Sequence, residues 1–196
     1  MSITKAEILT FTNSRLNRSD TDIDESIKLV LRDIANQRVL KEEDTTQTLT
    51  SSSTYLSYPS DALDGEDAII SVVLTDSSNN IGEPLVTIAA GWQEYKLRME
   101  DFTSSARSEP CDMITHDRKI YPWPAPNGTY TSSIWYYKRH DETADTIEFS
   151  EDWRNAIYFG VTMEVAIHHK MVDQINLWSG RYEREKEYQR MIHTGD

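Results

Sequence analysis

The apolar positions of residues 149–171, FSEDWRNAIYFGVTMEVAIHHKM, do not keep to one side of a helix. Trp153, Ala156, Ile157, Gly160, Val161 and Val165 follow one helical stripe, while Tyr158, Phe159, Met163, Ala166 and Ile167 cover much of the rest. A helix apolar around most of its circumference has to be buried on most sides. Arginine, glutamate and two histidines inside the run argue against a membrane span, which needs about twenty clean apolar residues. The pattern predicts a helix at the centre of a core or wedged between subunits, and in a small, acidic chain the wedged helix is the first expectation.

The rest of the chain divides by periodicity. Residues 4–17 read as a short helix with Thr4 as its N-cap and Ile8, Leu9 and Leu16 inward. Asp22, with Glu25 three residues on, predicts a capping-box start. From there Ile23, Ile27, Val30, Leu31 and Ile34 predict an amphipathic helix ending near Gln37, and the two helices are expected to form a hairpin. The period then changes. Residues 42–57 are rich in Thr and Ser, 68–74 and 85–88 have strand character, and 76–80 is a turn. Residues 91–102 predict a short helix with Trp92, Tyr95 and Met99 on one side. Residues 113–121 and 130–139 predict a strand pair, separated by PWPAPNG, whose prolines oppose regular pairing. A polar linker at 141–145 follows, and Ser150 is placed to cap the apolar helix. A last helix, about 173–193, carries Ile175, Trp178, Tyr182 and Ile192 on one stripe, with Arg181 and Glu185 paired at i,i+4 on its charged outer face. The expected fold class is α+β, a four-helix core formed by the N- and C-terminal helix pairs with a small antiparallel β lobe inserted. The expected divisions are 1–40, 41–147 and 148–196.

Charge narrows the function. A formal net charge of -13 over 196 residues argues against a phosphate-binding face. It permits the opposite, an acidic wall past which a polyanion slides. Cys111 is the only cysteine, so an intrachain disulfide and a Cys-rich zinc site are both excluded. The opening MSITKAEILTFTNSRL lacks the layout of a signal peptide, and a soluble intracellular protein without a membrane partner is expected.

Candidate chemistry is sparse. Glu164 and His168 stand at i,i+4 with Asp173 beyond, a metal-like spacing that lacks the HExxH order. Asp22, Asp24 and Glu25 are explained by a helix start. Cys111 and His116 make a conceivable dyad in an acidic neighbourhood that does not activate a thiol. Tyr121, Trp123, Trp135, Tyr136 and Tyr137 are able to stack bases, with only Lys119, Lys138 and Arg139 near; a sheet core or protein contact fits better. No GxSxG, P-loop or GxGxxG occurs. A structural protein is expected, not an enzyme, with no cofactor or metal. The competing readings are a monomeric or dimeric helical partner-binding module and, more remotely, a metal-dependent enzyme.

Several segments taken in order carry a family likeness: DIDESIKLVLRDIANQ, then TYLSYPSDALDGEDAIISV, then RKIYPWPAPNGTYTSSIWYYKRHDETADTIEFSEDWRNAIYFGVTMEVA, and the closing EYQRMI. This succession resembles the head–tail connector proteins (adaptor or head-completion proteins) of tailed double-stranded-DNA bacteriophages. The resemblance implies a homo-oligomeric ring, usually a dodecamer, in the neck of the virion, made in the host cytoplasm. Its partners would be the portal protein on one side and a tail tube, nozzle or tail-completion protein on the other. Double-stranded DNA would pass without sequence-specific binding, and twelve copies at -13 each come to -156. The expected subunit interface is Trp153, Ile157, Phe159, Val161, Met163 and Ile167. The portal contact is expected at Tyr182, Arg184, Tyr188, Arg190 and Met191, and the tail-side contact at Tyr121, Trp123 and Asn127. Segments such as 42–57 are expected to be flexible until docking orders them.

Overall fold

The computed structural model describes residues 3–53, 55–100, 107–142 and 144–194. Its elements run β1 (Ile3–Thr4), α1 (Lys5–Leu16), α2 (Asp24–Ala35), β2 (Lys41–Asp44), β3 (Thr48–Leu49), β4 (Leu56–Ser57), β5 (Ile69–Asp76), β6 (Val86–Thr87), α3 (Gly91–Glu100), β7 (Asp112–His116), β8 (Lys119–Trp123), β9 (Tyr130–Tyr137), β10 (Thr146–Ile147), α4 (Arg154–His168) and α5 (Val172–Thr194). The fold class is α+β. The chain divides into two compact units. Met1–Leu40 and Arg139–Asp196 form one, and Lys41–Lys138 the other.

In the helical unit, α1 starts on Thr4 with a complete capping box. The Thr4 hydroxyl accepts the Glu7 amide at 3.3 Å, and the Glu7 carboxylate accepts the Thr4 amide at 3.1 Å. Two of the helix's orphan donors are thereby satisfied. Ile8, Thr12 and Leu16 are buried, while Leu9 is only half-buried. Helix α2 departs from expectation at its start. Asp22 turns its carboxylate onto the Asp24 amide at 2.9 Å, the N-cap position falls on Ile23, and no capping box forms. The inward set Ile27, Val30, Leu31 and Ile34 is as the spacing predicts. Helices α1 and α2 do not pack chiefly on each other as a hairpin; each leans on α4.

Helix α4 buries Ala156, Ile157, Gly160, Val161, Thr162, Val165 and Ala166. The covers are α1, α2 and α5 of the same chain, so its apolar surface is met largely from within. A turn of 3-10 helix, Glu151–Trp153, precedes α4. Ser150 donates its hydroxyl to the Asp152 carboxylate at 3.3 Å instead of capping the backbone. On α5 the inward line runs through Trp178, Tyr182 and Gln189, leaving Ile192 exposed. Position 189 lies seven residues, almost two full turns, past Tyr182 on that face. Arg181 lies over the Trp178 ring at 4.8 Å, and Glu185 accepts from Gln189 at 3.2 Å. Strands β1 and β10 pair antiparallel, Ile3 opposite Ile147, both buried.

The second unit holds two sheets where one small lobe was expected. In the first, β9 is flanked by β5 along one edge and by β2 and β3 along the other. In the second the order is β4-β8-β7-β6, antiparallel except for β6 beside β7. Residues 113–121 therefore do not form one strand paired with β9. They fold back as the β7–β8 hairpin around Asp117 and Arg118, at φ 50° and 54°. A two-residue hairpin turn needs positive φ at both positions, and Asp-Arg lacks the glycine that normally announces it. The Thr/Ser-rich stretch is not a free arm, because it supplies β2, β3 and β4. Pro122 sits inside β8 opposite Met113, beyond the point where β4 stops at Ile120. An edge position tolerates a residue without an amide hydrogen.

Candidate interaction surfaces

The seam between α2, α4 and α5 sets how α5 is presented. Gly160 lets the Tyr182 ring and Val30 come so close that an added Cβ would lie 2.8 Å from each. Tyr182, 2% exposed, donates its hydroxyl to the Asp33 carboxylate, and the Lys186 ammonium reaches the same oxygen at 2.9 Å. Burial, then the Asp33 charge, push the Tyr182 hydroxyl well above its usual range, so it remains a donor. Burial and then Asp33 also raise the Glu164 carboxyl.

With that face fixed inward, a second line on α5 points to solvent. Leu177, Arg181, Arg184, Tyr188 and Met191 follow one another at i, i+4, i+7, i+11 and i+14, a single helical stripe. Leu177 is 45% exposed, Tyr188 53%, Met191 47% and the neighbouring Ile192 56%. Arg184 is exposed, and Arg190 pairs with Glu187 at 2.9 Å. Of the residues expected at the portal, Tyr182 is therefore interior and Arg184, Tyr188, Arg190 and Met191 are on the surface. Among those expected between subunits, Trp153, Ile157 and Val161 are buried in their own unit, Phe159 and Met163 are half-buried, and Ile167 is exposed. Phe159 joins an aromatic group with Trp178 at 5.6 Å and Phe11 at 6.4 Å.

The aromatic set read as a stacking platform is split between the two sheets. Tyr121 and Trp123 belong to the cluster that seats α3 on the second sheet, with Ile88, Tyr95 and Ile114 at its buried centre. Trp92 lies 4.8 Å from Tyr121, and Tyr95 meets Trp123 edge-on at 6.4 Å. Trp135, Tyr136 and Tyr137 lie on β9 in the other sheet, where Trp135 is exposed and the buried Tyr136 donates to Asp61 at 2.9 Å. The nearby cations are engaged: Lys119 lies over Tyr55 at 4.4 Å, and Lys138 pairs with Glu42 at 2.6 Å. Asn127 is exposed at the loop and accepts from the Tyr130 hydroxyl at 2.6 Å.

The catalytic and metal candidates do not assemble. Cys111 directly precedes β7 and His116 ends it, roughly 16 Å away at the rise of a strand. His116 stacks on Trp92 at 4.3 Å. His168 meets His169 edge-on, and His169 lies 3.5 Å from Asp20, which Arg18 already holds. Among the described residues, no three His, Cys, Asp or Glu side chains converge as a metal cluster. Glu25 pairs with Lys28 at 2.7 Å. Sequence reasoning placed Gly160 on the inward stripe but missed Asp33 and Lys186, which no local pattern marks. It also missed Leu177, whose spacing to Tyr188 and Met191 was there to be read.

The apolar and arginine-bearing stripe exposed on α5 is a surface suited to contact with another protein. It belongs to the SU10 adaptor protein family, whose family model matches residues 3–194. It is thus a bacteriophage adaptor and a component of the virion. No curated protein matches the chain. Among the described residues, no helix is long and apolar enough to cross a membrane.

Proposed function

We propose that the protein is a non-enzymatic head-to-tail adaptor that assembles as a ring under the portal, joins it to the tail and forms part of the DNA ejection channel. The observation that carries this reading is the outward stripe of α5. Four large apolar side chains stand half-exposed along one helix face, with Arg184 among them, and apolar anchors with arginine are the usual make-up of binding hot spots. Arg184, Tyr188, Arg190 and Met191 form the portal contact; Tyr182 acts from inside, fixing how α5 is presented. The four helices at the two ends of the chain serve as one core. Ile167, with the half-buried Phe159 and Met163, contributes to the contact between copies, while Trp153, Ile157 and Val161 stiffen the helix behind them. Trp123, Tyr121 and the exposed Asn127 mark the tail side. The net charge of -13 per copy keeps exiting DNA from adhering to the channel.

The double substitution Tyr188→Glu with Met191→Glu tests this. Both residues are half-exposed, so the melting temperature is expected to stay within a few degrees of wild type. Pull-down by purified portal rings is expected to be lost. Undiminished pull-down removes the stripe from the portal contact.

A further inference from the structure

The chain passes between its two units twice, and the second passage leads from Lys138 into Arg139. His140 stands one residue further on and is buried. Its Nε2 accepts the backbone N–H of Glu148 at 3.2 Å, and its ring stacks on Phe149 at 5.6 Å. A ring nitrogen that accepts carries no proton, so the neutral imidazole has its hydrogen on Nδ1. The nitrogen that fastens the ring is therefore also the one that an added proton would occupy. The Glu148 carboxylate in turn accepts the Asp141 amide at 2.9 Å. Ile147, beside Glu148, is paired with Ile3 in the β1–β10 ladder.

We propose that His140 is a proton-operated latch on this second passage: the neutral ring ties the chain at residue 140 to Glu148 within the helical unit, and the protonated ring releases it. A proton on Nε2 turns the acceptor into a donor facing the donor of Glu148, so the bond is lost and a charge is left in a buried site. Burial disfavours the cation, the Glu148 and Asp141 carboxylates, the Asp141 backbone and the nearby Glu142 carboxylate favour it, and the Lys5 ammonium opposes it; burial prevails and holds the ring below its ordinary range. The sign follows. A histidine depressed in the folded state contributes its full stability above the unfolded value of about 6.5 and loses it as the pH falls through the folded value. The tie between His140 and Glu148 loosens in weak acid, while the apolar contacts of α4 are indifferent to the proton.

Amide hydrogen exchange at Thr146, Ile147 and Glu148, read by NMR from pH 8 to pH 5 and corrected for intrinsic exchange chemistry, tests the latch on the whole chain. Wild-type protection at Glu148 is expected to fall at least about threefold relative to α4 on acidification. In His140→Gln, whose amide oxygen still accepts and does not titrate, protection is expected to stay level. The imidazole of His140 itself is expected to titrate below about 6.5. Level protection in wild type, a parallel fall in the glutamine variant, or an imidazole that titrates above the ordinary value overturns the proposal. If the variant does not fold, the wild-type exchange and the imidazole titration decide between the same two outcomes.

Discussion

The Tyr182 hydroxyl donates to the Asp33 carboxylate across the α2–α5 seam, and Lys186 holds the same oxygen from the next turn of α5. One acceptor on α2 thereby fixes the rotation of α5 and decides which line of side chains faces out. Most of the Tyr182 contribution is ring burial, because Asp33 keeps Lys186 when the hydroxyl is removed. Tyr182→Phe is expected to cost about 1 kcal/mol, and Tyr182→Ala about 3–5 kcal/mol. Urea unfolding midpoints compare the two. Equal losses would mean that the hydroxyl, not the ring, carries the seam.

Gly160 permits the approach that this contact requires. An alanine in a helix interior usually gains about 1 kcal/mol over glycine. Here the new Cβ would meet two packed side chains, Tyr182 and Val30, at 2.8 Å. Overpacking of this kind costs about 1–3 kcal/mol, and the site cannot relax without moving α2 or α5. Gly160→Ala is expected to destabilise the protein, and to do so less when combined with Val30→Ala. A double-mutant cycle measures that coupling, and a Gly160→Ala protein more stable than wild type contradicts it.

Glu164 gives a pH-dependent test of the same region. Its carboxyl is raised by burial first and by Asp33 second. A raised carboxyl contributes stability below its unfolded value and loses that contribution as the pH rises through the folded one. Glu164→Gln is therefore expected to be more stable than wild type at pH 8, with the gap closing towards pH 4. Denaturation midpoints of both proteins at the two pH values isolate this residue, since every other titrating group is shared. A gap that widens in acid contradicts the assignment.

Local signals in the sequence were legible where a single residue sets the geometry. Thr4 reads as an N-cap, and the 3.6-residue spacing of Ile27, Val30, Leu31 and Ile34 gives the buried face of α2. The apolar girth of α4 correctly demanded burial on several sides, but pattern alone does not say who supplies it; α1, α2 and α5 do. The strand pairing was misread at Asp117 and Arg118, because positive φ in two residues with side chains leaves no compositional mark. The Asp33–Tyr182–Lys186 contact joins residues about 150 positions apart, beyond any reading of periodicity. The outward stripe of α5 was partly legible in Tyr188 and Met191. Tyr182, grouped with them as a portal contact, lies about a third of a turn round the helix from Tyr188 and faces inward.

Size-exclusion chromatography with light scattering, on the purified protein mixed with portal rings over a range of concentrations, tests the adaptor reading most directly. Co-elution as a ring complex of defined stoichiometry is the expected result. A chain that remains a lone copy and elutes apart from the portal at every concentration contradicts it.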